Sequence, residues 1–272
     1  MKSIFSYLRV ILAVLVLTSG SLSGIDTKNT RMMAQPAISK DNIAFVYAED
    51  LWISKIDGSN PVRLTVDEGI ESDPMFSPDG SIIAFSAQYD GNTDVFTIPV
   101  NGGVPKRLTW HPGNDIVRGF SPDGANVLFT SPRSSFTGAY LQFYLVPVAG
   151  GIPVQIDIPA GYSASFSPDG KSLAYTPVSP AYQQWKNYRG GRISKIWICS
   201  LSDHSIVKIP QPEGGCNDAD PMWIDNSIYF ISDRNGEFNL YSYDISSKAI
   251  KALTSFTDFP ILKATSGNKK IM

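Results

Sequence analysis

Short apolar runs recur along the chain, each bounded by Gly, Pro, Asp or Asn: Ile43-Ala44-Phe45, Ile82-Ile83-Ala84-Phe85, Val127-Leu128-Phe129, Leu173-Ala174-Tyr175 and Ile228-Tyr229-Phe230. Runs this short, rich in β-branched and aromatic residues, predict buried strands rather than helices. A second kind of segment follows each, apolar and polar by turns: Leu51-Trp52-Ile53-Ser54, Asp94-Val95-Phe96-Thr97-Ile98, Lys195-Ile196-Trp197-Ile198 and Asn239-Leu240-Tyr241-Ser242-Tyr243. Asp90-Gly91 and Asn235-Gly236 lie between the two kinds, as hairpin turns would. The units close on Arg63-Leu64-Thr65, Arg107-Leu108-Thr109 and Ala252-Leu253-Thr254.

A pentapeptide sets the period. Phe-Ser-Pro-Asp-Gly begins at 76, 120 and 166, so successive copies start 44 and 46 residues apart. A repeat in the forties with about four strands is the plan of a propeller blade. Within the motif Pro presets φ, Asp bonds its own backbone and Gly takes the left-handed region. It is a turn rather than a catalytic element. In the fifth unit the turn reads Trp223-Ile224-Asp225-Asn226, and Asn226 is expected at the left-handed position.

The expected fold is therefore an all-β propeller of four-stranded antiparallel blades, five complete with the start of a sixth. The blades fall near 38–66, 70–110, 114–157, 160–210 and 218–254, with a partial one over 257–272 after a linker at 24–37. Because the last unit stops within its opening strands, the reading expects a fragment of a longer protein; a five-bladed ring with a short tail is the alternative.

Composition narrows the chemistry. With 23 Lys and Arg against 25 Asp and Glu the net charge is −2, which offers no field for a nucleic-acid backbone. Two cysteines, Cys199 and Cys216, with no Cys-x-x-Cys or His-Glu-x-x-His, predict no metal and no cofactor. Residues 1–23 read as a Sec-type signal: Lys2 and Arg9, the apolar run Val10 to Leu17, then small residues to Ser23. That run is too short to span a bilayer, so the expected product is soluble and periplasmic, with no membrane span after cleavage. Export would permit a Cys199–Cys216 disulfide.

Gly170-Lys171-Ser172 imitates a phosphate loop, but Ser165 stands where its first glycine belongs. His111 aligns with an inter-blade connector and His204 with a tight turn, so neither is expected as a general base. Asp73-Pro74-Met75 recurs as Asp220-Pro221-Met222; repetition points to a structural hydrogen bond at each blade's start. No Gly-x-Ser-x-Gly elbow occurs. The least repeat-like stretch, 182–192 in blade four, replaces a tight hairpin with a long loop carrying Trp185, Tyr188, Arg189 and Arg192. A loop of that kind suits recognition of a peptide or packing against a neighbouring domain.

Ala48-Glu49-Asp50-Leu51-Trp52, the Phe-Ser-Pro-Asp-Gly turn, Pro105-Lys106-Arg107-Leu108-Thr109, Trp185-Lys186-Asn187-Tyr188-Arg189-Gly190-Gly191 and the segment from Ile228 to Gly236 together resemble the N-terminal propeller of tricorn protease homologues, from about Ile38 to Met272. The blade-four stretch is the most specific; the pentapeptide is shared with TolB-type propellers. The resemblance implies a six-bladed propeller ahead of a second propeller, a PDZ-like module and the catalytic domains of a serine peptidase that trims oligopeptides. It places nucleophile, base and oxyanion donors beyond Met272, so this chain alone is expected to be inactive. Its implied partners are oligopeptides, downstream domains of the same protein and a further copy in a homo-oligomer. It also implies a basic element anchoring a peptide's terminal carboxylate, for which Arg118 is the nearest residue, with Arg189 and Arg192 as further peptide-binding candidates. The founding relatives are cytoplasmic, the alternative to a periplasmic location. A stand-alone TolB-like scaffold is the second reading, though such proteins carry an α/β domain before the propeller; a prolyl-oligopeptidase relative is the third.

The signal predicts a mature N-terminus close to Ser23. N-terminal sequencing of protein recovered from the exported fraction should give a chain starting there, and a cytoplasmic chain retaining Met1 would contradict it.

Overall fold

The computed structural model describes residues 33–138 and 140–272; the expected signal at 1–23 lies outside them. Five four-stranded antiparallel sheets follow one another, each a simple meander. Blade 1 is β1 (Ala34–Ile38), β2 (Asn42–Tyr47), β3 (Asp50–Lys55) and β4 (Val62–Arg63). Blade 2 is β5 (Glu71–Phe76), β6 (Ile82–Ala87), β7 (Asp94–Pro99) and β8 (Lys106–Arg107). Blade 3 is β9 (Ile116–Phe120), β10 (Asn126–Ser131), β11 (Gln142–Pro147) and β12 (Val154–Gln155). Blade 4 is β13 (Ser163–Phe166), β14 (Ser172–Thr176), β15 (Trp197–Ser200) and β16 (Ile206–Lys208). Blade 5 is β17 (Asp218–Ile224), β18 (Ser227–Ser232), β19 (Asn239–Asp244) and β20 (Ile250–Ala252). A hairpin of β21 (Ser266–Gly267) and β22 (Lys270–Ile271) opens the sixth unit. Among the described residues no helix is long and apolar enough to cross a membrane.

The core is a set of seams between blades. In each of blades 2 to 5 an aromatic pair stands directly opposite across the second and third strands: Phe85 with Phe96, Phe129 with Tyr144, Tyr175 with Trp197, and Phe230 with Tyr241. Each pair packs into the preceding blade, against Ala44 and Leu51, Ala84 and Val95, Leu128 and Phe143, and Ala174 and Ile196 respectively. One face of each blade thus receives the rings of the next.

The sixth hairpin joins the last blade to the first. Gly267 passes so close to β1 that a Cβ there would lie 1.7 Å from the Ile38 carbonyl oxygen, which only glycine permits. Lys270 Nζ donates to the Lys40 carbonyl at 3.1 Å. Toward blade 5, Ala264 and Ile271 pack with Ala219, Met222 and Ile231.

The sequence missed several local details. The first strand starts at Ala34, inside the segment assigned to the linker, because a register shift at Gln35-Pro36 interrupts the alternation by which strands are read. Asp90-Gly91 and Asn235-Gly236 sit in longer second hairpins, where only the glycines have positive φ (91° and 109°). In the tight turn of blade 5 the left-handed residue is Asp225 (φ 51°) rather than Asn226. Cys199 and Cys216 are separate buried thiols, and burial pushes Cys216 up to about 12.

The Phe-Ser-Pro-Asp-Gly turn works as expected. Gly80, Gly124 and Gly170 lie at φ 75°, 71° and 71°. Asp79 accepts from the Ser77 hydroxyl (2.6 Å) and the Ser81 amide (3.1 Å), which hold its carboxyl down at about 2.

The recurrent Arg-Leu-Thr ending is a clasp between outer strands. Thr65, Thr109 and Thr254 each accept an amide of the third strand (Leu51, Val95, Leu240) at 2.9, 3.0 and 2.9 Å. Arg63 and Arg107 reach Asp50 and Asp94 at 2.7 and 2.6 Å. In blade 5 Ala252 replaces the arginine and Asn239 replaces the aspartate. The two changes go together because a buried carboxylate without its cation is costly.

Arg107→Ala should therefore lower the unfolding free energy by about 3 kcal/mol, the cost of leaving buried Asp94 unpaired. Adding Asp94→Asn, which reproduces blade 5, should recover much of that loss. Urea unfolding of the two variants checks it: a double variant as unstable as the single one would contradict the clasp.

Candidate functional site

The first strands surround a cavity of about 460 Å³ on the propeller axis. Its lining begins at the turns between first and second strands, including Lys40, Asp79, Asp225 and Lys269, and passes along Ile38, Phe76, Phe120, Phe166 and Trp223. It ends at a ring of Asp73, Arg118, Ser163, Asp220 and Lys263; no residue nearer the opposite ends of these strands lines it.

Backbone irregularity builds that ring. Gln35, Asp73 and Asp220, each followed by proline, take left-handed φ of 51°, 50° and 49°. At each, the pairing of first and second strands skips two residues. In blade 3 a single residue, Arg118, is left out between Val117 and Gly119, and blade 4 pairs without interruption. Left-handed φ at a residue with a Cβ costs energy and persists only where the surroundings hold it.

Contacts to the next blade hold these residues. Gln35 Oε1 accepts the Asp73 amide, and Asp220 accepts the Ala264 amide at 3.3 Å and Lys263 Nζ at 2.9 Å. The recurrent aspartate thus has the structural bond that its repetition suggested. Arg118 is bound loosely by comparison: 3.4 Å to Asp73, 3.2 Å from Nε to Thr130 Oγ1, and 4.7 Å above the Tyr162 ring. Its side chain is only 10% exposed.

The structure does not bring the three candidate arginines together at the cavity. Arg118 lines it; Arg189 and Arg192 lie on the long β14–β15 loop and do not. Arg189 pairs with buried Asp233 at 2.7 Å, and Asn217 binds both Asp233 (2.9 Å) and the Tyr188 carbonyl (3.0 Å), fastening the loop to blade 5. Arg192 reaches Ser179 within the loop at 2.8 Å. Sequence reading missed Gln35 because its strand was given to the linker, and Lys263 because nothing local marks it.

His111 Nδ1 accepts the Gly113 amide at 2.9 Å within its connector. His204 sits in a turn, 3.5 Å from Asp157. Neither is hydrogen-bonded to a serine or threonine hydroxyl. Among the described residues no group of three His, Cys, Asp or Glu side chains is placed to hold a metal ion.

Beyond the ring, three blades carry an acid at the start of the first strand. In blades 3 and 5 it is an aspartate paired with an arginine, Asp115 with Arg133 and Asp218 with Arg234, whose guanidinium lies over the seam aromatics. In blade 2 a tyrosine replaces the cation: Tyr89 donates to Glu71 Oε1 at 2.6 Å, and Glu71 Oε2 has no partner. Burial raises the Glu71 carboxyl above the ordinary 4.5, and Asp50 and Asp67 push it the same way against the Tyr89 hydrogen bond.

A model of the tricorn protease N-terminal beta propeller domain matches residues 30–272. A tricorn protease homolog of Saccharolobus solfataricus is 28% identical over 244 residues, covering 87% of this chain and 22% of that protein. The crystal structure of the tricorn protease superposes with TM-score 0.77 at 26% identity, over 88% of this chain and 24% of that one. TolB from Acinetobacter baumannii shares the fold, with TM-score 0.61 at 18% identity over 80% of this chain and 53% of that one. The chain spans about a fifth of the length of the curated relatives it matches.

A carboxyl raised on folding contributes stability in full below its unfolded value and loses it as pH rises through the folded one. Glu71→Gln should therefore gain stability over the parent chain as pH rises from 4.5 toward neutrality, and melting temperatures across that range check it. A constant offset would contradict the assignment.

Proposed function

The chain belongs to the tricorn protease N-terminal β-propeller family, and on that premise we propose that its axial cavity receives oligopeptides on behalf of a tricorn-type serine peptidase whose catalytic residues lie outside this chain. The observation that carries the reading is the position of Arg118. It stands on the wall of an axial cavity, buried to nine-tenths, with its guanidinium backed by the Tyr162 ring and tied to Asp73 at only 3.4 Å. A peptide carboxylate entering past the Ser-Pro-Asp-Gly turns would meet a cation held in a low-dielectric wall, where one charge-assisted hydrogen bond is worth more than in water. Asp73 is the group it would displace.

The rest of the lining suits a chain of mixed character. Acids and bases pair around the ring, Asp73 with Arg118 and Asp220 with Lys263, and Asp225 pairs with Lys269 nearer the mouth at 2.7 Å. Between them lie Ile38, Phe76, Phe166 and Trp223. Such a surface favours neither sign strongly and gives apolar side chains a place to rest. The Sec-type pattern of residues 1–23, against the cytoplasmic setting of the founding relatives, supports export and a periplasmic working compartment.

Two measurements test the proposal. The purified chain should hydrolyse no fluorogenic peptide and take no label from an active-site serine probe. Peptides with a free C-terminal carboxylate should bind more tightly than their C-amidated forms, and Arg118→Met should abolish that difference while leaving the far-ultraviolet circular dichroism unchanged. Serine labelling, or equal binding of acid and amide forms to the parent chain, would overturn it.

A further inference from the structure

The strand registers identify one equivalent position on every first strand. Ile38, Phe76, Phe120, Phe166, Trp223 and Ser266 each stand directly opposite an aliphatic residue of the second strand, from Ile43 in blade 1 to Ile271 in the sixth unit. All six line the axial cavity. Five are large and apolar, so together they form a belt between the polar turns at the mouth and the charged ring. The sixth is serine, which leaves the belt one large side chain short.

The recess at Ser266 lies between Trp223 and Ile38, and the strands on both sides of it are already in contact. Toward blade 1 the backbone at Gly267 abuts the Ile38 carbonyl, and toward blade 5 Ala264 packs with Ala219 and Met222. Trp223 is held as a wall: its amide donates to Ser165 Oγ at 2.9 Å and its indole Nε1 to the Asp225 carbonyl at 3.2 Å. The cavity touches every residue of the sixth unit from Lys263 to Lys269. A recess with one aromatic wall, one aliphatic wall and a serine at its base is shaped for a single apolar side chain.

We propose that this recess takes an apolar side chain, of leucine or phenylalanine size, from a peptide whose terminal carboxylate is bound by Arg118; the inference rests on the peptide-binding reading above and adds the class of peptide. Arg118 belongs to the third unit and Ser266 to the sixth, so they stand on opposite sides of the axis. Arg118 precedes Phe120 by two residues and Lys263 precedes Ser266 by three, which sets the belt about 7 to 10 Å from the charged ring at roughly 3.3 Å per residue. An extended peptide covers that distance in two or three residues. Its successive side chains point to opposite sides, so a carboxylate toward blade 3 and a side chain toward the sixth unit are compatible. The selected residue is the second or third before the C-terminal one. An apolar group there completes the belt and leaves water, whereas a charged one would be desolvated at a level where the wall carries no charge to meet it.

Calorimetric titration of the chain with N-acetylated alanine pentapeptides, each carrying one leucine or one serine at a chosen position, tests this. Leucine at the second or third position before the C-terminal residue should bind about tenfold more tightly than serine there, and leucine at the first position should give no such gain. Ser266→Phe, which fills the recess, should bring the leucine-to-serine ratio close to one while keeping the preference for acid over C-amidated peptides, a preference that also reports an intact fold. Ser266→Leu, a smaller filling, should lower the ratio in part, and Ser266→Ala should leave it unchanged. Equal binding of leucine and serine peptides with the acid preference intact would overturn this inference alone, as would a ratio that survives Ser266→Phe. A parent chain that does not distinguish acid from amide would overturn the reading beneath it, and this inference with it.

Discussion

No blade of this protein can satisfy itself. A four-stranded meander has two faces, and here one presents an aromatic pair while the other presents Ala with an aliphatic residue to receive such a pair, or Leu128 with Phe143 between blades 3 and 4. Neither face is buried until another blade arrives, so stability resides in the seams, as in any stacked repeat. The direction of stacking is fixed too, because the aromatic pairs point backward along the chain and the residues that receive them forward. Phe85 with Phe96 over Ala44, and Phe230 with Tyr241 over Ala174, are the same joint made twice.

Polar contacts follow that joint rather than compete with it. The outer Asp–Arg–Thr clasp closes the far edge of blades 1 and 2, and the Asp–Arg pairs of blades 3 and 5 cover their seam aromatics with a guanidinium. Each is a buried charge made tolerable by a partner at short range. Blade 5 drops both members of the clasp, and blade 2 exchanges arginine for tyrosine while keeping its acid. The second exchange leaves Glu71 with an unpartnered oxygen, and burial shifts its carboxyl toward the protonated form.

The candidate surfaces arise where the repeat is broken. Left-handed Gln35, Asp73 and Asp220 interrupt the pairing of the first strands at the axis, Arg118, left out of the strand pairing of blade 3, reaches Asp73 of blade 2, and the β14–β15 loop is the longest of the second hairpins. Each irregularity is held by the adjoining blade, so the axial ring is a property of the assembled propeller.

The primary sequence determined the blade count, the strands, the Ser-Pro-Asp-Gly turns and the family likeness, because these rest on short-range periodicity and turn chemistry visible within about forty residues. It also marked Asp73 and Asp220 through their repetition, and Arg118 as a basic residue between two blades. Tertiary structure alone decided that Arg118 lines the cavity while Arg189 is fastened to Asp233, that Ala34 already belongs to a strand, and that Gly267 must clear the Ile38 carbonyl. Those facts depend on residues far apart in the chain meeting across seams and around a ring, and no local pattern encodes which distant neighbour a side chain will find.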